Sequence, residues 1–114
     1  MAIEKRTIRE GTTDKIVMQL LADNDPINLT NVDHVELFLR DKMKTVYHYK
    51  SNSTSPQVAI EVAEEGTVSL EPTRSLFKAI LSPYKGYWLV YEDADTYYST
   101  PEDNEFEITV RGAW

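Results

Sequence analysis

The 114-residue chain predicts an all-β protein, an antiparallel β-sandwich with one short helical turn near residues 73–81. Three observations carry this expectation. Apolar residues recur on alternate positions, the period of a strand, in segment after segment. Clusters of turn-forming residues interrupt those segments at intervals of about 8 to 12 residues. One stretch abandons the alternation: Leu76, Phe77, Ile80 and Leu81 take helical spacing between Pro72 and Pro83, which bound the turn.

In chain order, Ile3, Lys5 and Thr7 alternate with Glu4, Arg6 and Ile8 in a weak pattern that suits an edge strand ending at Gly11. Lys15 to Leu21 places Ile16, Met18 and Leu20 on one face and Val17, Gln19 and Leu21 on the other, so both faces are expected to be partly covered. Ala22-Asp23-Asn24-Asp25-Pro26 collects turn residues, and Pro26 lacks the ladder donor where pairing should stop. Val32 to Asp41 is the clearest strand and an expected core strand, with Val35, Leu37 and Leu39 on one face and His34, Glu36, Phe38 and Arg40 on the other. Lys44 to Lys50 is its expected hairpin partner.

Ser51 to Pro56 is polar and ends in proline, which predicts an exposed loop. Val58, Ile60 and Val62 alternate again, Glu64-Glu65-Gly66 turns the chain, and Val68 and Leu70 form the return strand. Beyond the helical turn, Gly86 to Tyr91 is an aromatic strand with Tyr87, Leu89 and Tyr91 on one face and Trp88 and Val90 on the other. Both Tyr87 and Trp88 are assigned mainly to core packing. Tyr97 to Ser99 pairs briefly, and Glu105 to Arg111 closes the chain with Phe106, Ile108 and Val110 inward. Seven to nine short strands in this order, without internal repeats, read as an immunoglobulin-type sandwich in one domain, 1–114, with a small closed barrel as the alternative.

Composition narrows the function classes. A net charge of −7 opposes a broad phosphate-binding surface, so nucleic acid is not an expected partner. The longest apolar runs fall far short of the roughly 20 residues needed to cross a bilayer, so no membrane partner is expected. The opening MAIEKRTIREG has no apolar segment after its charges and reads as a mature cytosolic product without a secretory signal. The absence of cysteine removes disulfides, thiolate nucleophiles and cysteine-bound zinc. Four glycines, at 11, 66, 86 and 112, build neither a phosphate-cradling loop nor a dinucleotide fingerprint. The serines at 51, 53 and 55 lack a nucleophile elbow.

His34 and His48 have no third ligand at metal spacing and read as ordinary surface or rim histidines. Acidic clusters at Asp23-Asn24-Asp25, Glu92-Asp93-Ala94-Asp95 and Glu102-Asp103-Asn104-Glu105 sit at predicted strand ends, where sandwich loops can converge on calcium. Their spacing does not match an EF-hand, and solvated turn carboxylates are the simpler reading. No catalytic residue, cofactor or metal site is therefore assigned. A hydrolase would have only the scattered carboxylates Glu92, Asp93, Asp95 and Glu102 to work with. Tyrosine and tryptophan, which join a rigid apolar ring to a polar handle, are the remaining feature. Tyr97, Tyr98 and Trp114 are the first candidates for an interface, followed by the edge strand with Ile3, Lys5 and Thr7.

The order of short motifs adds to this. Thr7-Ile8-Arg9-Glu10-Gly11-Thr12-Thr13, Leu20-Leu21-Ala22-Asp23, Pro26-Ile27-Asn28-Leu29-Thr30 and Val35-Glu36-Leu37-Phe38-Leu39-Arg40 resemble the N-terminal domain of phage baseplate upper proteins. Gly66-Thr67-Val68, Lys85-Gly86-Tyr87-Trp88 and Glu105-Phe106-Glu107-Ile108-Thr109-Val110 are similar to later segments of that family. The apolar turn Leu76 to Leu81 departs from it, standing where the family has a short polar link. The resemblance implies a non-enzymatic virion protein of a tail, baseplate, neck or capsid position, made in the host cytoplasm. Such a protein is a homo-oligomer in the particle, bound to copies of itself and to other virion proteins. The competing reading is a carbohydrate- or receptor-binding module using Trp88, Tyr97, Tyr98 and the acidic loop ends.

Overall fold

A computed structural model describes residues 5–22, 24–54, 56–101 and 105–112. The described residues form eleven strands: β1 (Lys5–Arg9), β2 (Ile16–Gln19), β3 (Leu21–Ala22), β4 (Asp25–Pro26), β5 (His34–Arg40), β6 (Val46–Lys50), β7 (Val58–Val62), β8 (Thr67–Leu70), β9 (Tyr84–Tyr91), β10 (Tyr97–Thr100) and β11 (Phe106–Arg111). The larger sheet has the order β1-β11-β9-β5-β6, with β10 also on β9, and the smaller has the order β2-β8-β7. Every pairing is antiparallel except that of β1 with β11. The two sheets enclose one core, and the protein is an immunoglobulin-like β-sandwich.

The alternation seen in the sequence is what the packing uses. Val35, Leu37 and Leu39 of β5 lie in register with Val90, Trp88 and Gly86 of β9, and all six face the smaller sheet. Ile16, Met18 and Leu20 meet them from the other side, and the Trp88 indole N–H donates to the Met18 sulfur at 3.5 Å. Burying these large side chains supplies roughly 1.5–3 kcal/mol apiece before the entropy of ordering them is subtracted. The expected cover on both faces of β2 is not found: Val17, Gln19 and Leu21 are exposed, because no layer packs outside the smaller sheet.

Other elements depart from the periodicity in ways the backbone explains. Beside the turn cluster, Leu21 and Ala22 pair with Pro26 and Asp25, with Asn24 at φ 70° in the left-handed region. Asp23 lies outside the described residues. Val62 alternates with Ile60 in sequence yet is exposed, because a bulge lies between them. The helical stretch near 73–81 is a turn followed by a 3₁₀ turn over Ala79–Leu81. Leu76 and Phe77 enter the core and Leu81 packs half-buried against it, whereas Ile80 is 80% exposed. Tyr84 anchors this connection to β9: its hydroxyl donates to the Leu76 carbonyl at 2.9 Å and accepts from the Lys78 N–H at 3.1 Å. The Phe77 ring meets the Tyr84 ring edge-on at 4.9 Å.

Candidate functional site

The outer face of the larger sheet is the chemically unusual surface of the molecule. Register brings His34, Glu36 and Phe38 of β5 beside Tyr91, Leu89 and Tyr87 of β9, and it sets His48 of β6 against Phe38. Residues at alternate positions along a strand share one face, so these side chains project away from the core. Their burial needs another cover, and the rings supply it. Tyr91 stacks on His34 at 4.4 Å between centroids, and Tyr97 of β10 stacks on Tyr91 at 4.9 Å. A second stack runs from His48 through Phe38 to Tyr87, at 4.0 and 5.3 Å.

Between the two stacks lies a chain of charge-assisted hydrogen bonds. The Asp33 carboxylate contacts His34 Nδ1 at 2.6 Å, His34 Nε2 contacts Glu36 Oε2 at 2.7 Å, and Glu36 Oε1 contacts His48 Nε2 at 2.5 Å. Both nitrogens of His34 face carboxylates, an arrangement that favours the imidazolium, which has two donors and no acceptor. Burial by itself would lower the His34 pKa, but the bonds to Glu36 and Asp33 outweigh it and hold the value above the ordinary one. Burial likewise works to raise Glu36, and the bonds to His34 and His48 with the charge of Lys50 bring it below the ordinary carboxylate value. The reading of the histidines as surface or rim groups holds for His48, which is exposed, and is corrected for His34. His34 is 7% exposed and Glu36 5%, and each is held by hydrogen-bonded partners. The signal was present as the strict alternation His34, Glu36, Phe38 followed by a hairpin strand carrying His48. What that alternation lacks is any trace of the roof formed by Tyr91, Tyr97 and Tyr87.

The other sequence candidates separate. Tyr97 is 56% exposed at the open end of its stack. Tyr98 points to the opposite face, is half-buried and packs against the core, so it presents little ring to a partner. Lys5 and Thr7 are exposed on β1 at one edge of the larger sheet, while β6 forms the other edge. Ile3 and Trp114 lie outside the described residues, as do Glu102, Asp103 and Asn104. Tyr87 is half-buried on the outer face, stacked on Phe38 rather than placed in the core, whereas Trp88 is a core residue at 1% exposure. A sugar therefore finds no platform on Trp88.

Among the described residues, the acidic turns at 24–25 and 92–95 lie in connections at the same end of the sandwich. Asp93 spends its carboxylate on its own turn, accepting from the N–H groups of Asp95 and Thr96 at 2.8 Å each, which lowers its pKa. Among the described residues no group of histidine and carboxylate side chains is arranged to hold a metal ion. Asn28, Asn31, Val32, Glu92 and Tyr98 line a surface hollow beside these loops.

No family model and no curated protein matches the chain. Among solved structures, the extracellular domains 3–5 of Drosophila OTK are similar to 96% of this chain at 16% identity and a TM-score of 0.34. The chain spans 32% of that protein's length, and the fold assignment rests on strand order and register rather than on this likeness.

Proposed function

We propose that this chain is a non-enzymatic structural component of a phage virion, placed by contacts with copies of itself and with neighbouring virion proteins. The observation that carries the assembly part is the outer face of the larger sheet. There the exposed Tyr97 ring stands at the open end of a stack through Tyr91 to His34 on the solvent side of the sheet. A rigid aromatic side chain loses little entropy on docking, which suits protein contact. The virion part is supported by the resemblance of the ordered motifs to baseplate upper proteins.

Peptide mass mapping of purified, nuclease-treated particles from the source tests this reading. Stoichiometric presence in the particle is the expected result, and absence overturns it. The carbohydrate- or receptor-binding alternative draws on the hollow between Asn28, Asn31, Glu92 and Tyr98. A positive glycan array with a calcium-dependent thermal shift would favour that alternative.

A further inference from the structure

The charges of the sandwich are sorted by end. The connections 20–33, 63–66 and 92–96 meet at one end, joined by bonds from Leu20 N–H to Gly66 C=O and from Leu29 N–H to Ala63 C=O. Asp33 N–H to Tyr91 C=O ties in the third. These connections contain no Lys or Arg and carry Asp25, Glu64, Glu65, Glu92, Asp93 and Asp95, all exposed. The connections 10–15, 41–45 and 71–83 meet at the opposite end through Gly11 N–H to Phe77 C=O and Lys42 N–H to Leu81 C=O. There Lys42, Lys44 and Lys78 are exposed, and none makes an ion pair among the described residues. These connections also carry Lys15 and Arg74, and their acids are Glu10, Asp14, Asp41 and Glu71, so the bases outnumber the acids only slightly. Of the acids, Asp41 is buried and accepts from Met43 N–H, Thr45 N–H and the Tyr47 hydroxyl, and Glu10 accepts from Ala79 N–H.

The lysine-rich end also carries the most exposed apolar side chains of the described residues, Ile80 at 80% and Met43 at 70%. Each adjoins one partner of the Lys42 to Leu81 bond, which brings the two turns together. Leu21, Val62 and Tyr97 are exposed apolar residues at or beside the acidic end. We infer that the lysine-rich end of one copy docks on the acidic end of a second copy, head to tail. This rests on the proposed assembly role and gives it a surface and a polarity.

A second copy is the occupant because the complementary surface belongs to the same chain. Pairing two identical ends sets like charge against like, whereas joining unlike ends sets lysines against carboxylates around an apolar centre. Such a contact is heterologous, so it extends into a ring or a filament instead of closing at two copies. The net charge of −7 sets a general repulsion between copies, which the facing of unlike ends opposes.

Sedimentation of the full chain at about 20 mM and about 500 mM salt reads the contact, since screening weakens it. Growth beyond a dimer at low salt that dissolves at high salt is expected, with carbodiimide cross-links joining Glu64, Glu65, Asp93 or Asp95 of one copy to Lys42, Lys44 or Lys78 of another. The double variants Lys42→Glu/Lys78→Glu and Glu64→Lys/Glu65→Lys change only exposed side chains. Each is expected to weaken association by at least about tenfold, and an equimolar mixture recovers association through its one intact pair of ends. A monomer at low salt, a salt-insensitive dimer, cross-links between other surfaces, or pelleting of Lys42 and Lys78-dependent chain only with anionic vesicles overturns the inference. A chain found in particles but monomeric at low salt sinks this contact alone, whereas absence from particles sinks the virion reading.

Discussion

The Glu36 carboxylate and the His34 imidazole form a 2.7 Å pair on the outward side of a core strand, with both residues less than a tenth exposed. A pair so placed has no second protein layer above it. Its shelter is the Tyr97, Tyr91 and His34 stack, together with the neighbouring Phe38 ring. Removing the carboxylate leaves His34 bonded only to Asp33 and leaves His48 without its partner on β5. Glu36→Ala is therefore expected to destabilise the fold by about 3 kcal/mol, measured by urea denaturation.

The same pair sets a pH dependence. His34 is raised above its ordinary 6.5, so its contribution is complete below 6.5 and is lost as pH rises through the elevated folded value. Glu36 is lowered below its ordinary 4.5, so its contribution is complete above 4.5 and is lost as pH falls through the depressed folded value. Asp33, Glu36, His48, Lys50 and Tyr91 are the polar and titratable groups around this centre. Stability from the pair is greatest between the two ordinary values. The urea midpoint at pH about 5.5 should exceed that at pH about 8.5, and His34→Asn should reduce the difference.

Tyr84 makes two hydrogen bonds from inside the core to the connection that precedes β9. Tyr84→Phe keeps the ring and its edge contact with Phe77 but strands the Leu76 carbonyl and the Lys78 N–H. A loss of about 1–3 kcal/mol is expected in equilibrium denaturation.

Gly86 stands at the centre of β9, where a side chain has no room. A Cβ there would run into the Phe38 carbonyl and lie 2.8 Å from Leu39 Cδ2 and 3.0 Å from Phe106 Cζ. The obstructing backbone belongs to the paired strand β5 and cannot move without breaking the ladder. Gly86→Ala should cost at least about 2 kcal/mol, and a melting temperature equal to that of the parent would contradict this.

Tyr97 tests the outer face with little effect on the fold. Tyr97→Ala removes an exposed ring and one stacking contact, so the expected stability loss is at most about 1 kcal/mol. Its effect on binding to particle proteins should be larger, measured by pull-down from disrupted particles. Unchanged capture would remove Tyr97 from the interface.

Much of the fold was legible along the chain. Alternation separated the two faces of β5, β9 and β11, because the strand period of two transmits burial on one side directly into sequence, but on β9 it did not show that Trp88 faces the core and Tyr87 does not. Where periodicity failed, a local or tertiary cause intervened. The bulge turned Val62 outward, the absence of a covering layer exposed Val17 and Leu21, and the 3₁₀ turn put Ile80 in solvent.

The candidate site was legible only in fragments. His34, Glu36 and Phe38 were assigned together to one face, yet nothing in that spacing shows that this face points away from the core or that His34 and Glu36 are nonetheless buried. Their burial depends on Tyr91 and Tyr97, more than fifty residues away in sequence and brought over them by strand pairing. The sorting of acidic and lysine-rich connections to opposite ends likewise appears only when the strand directions are known. By itself the sequence determined the strand periods, the net charge and which residues share a face, since these follow from local alternation and composition. Tertiary structure alone decided the buried histidine and carboxylate pair and the polarity of the surface, because both arise between segments that only long-range pairing makes neighbours.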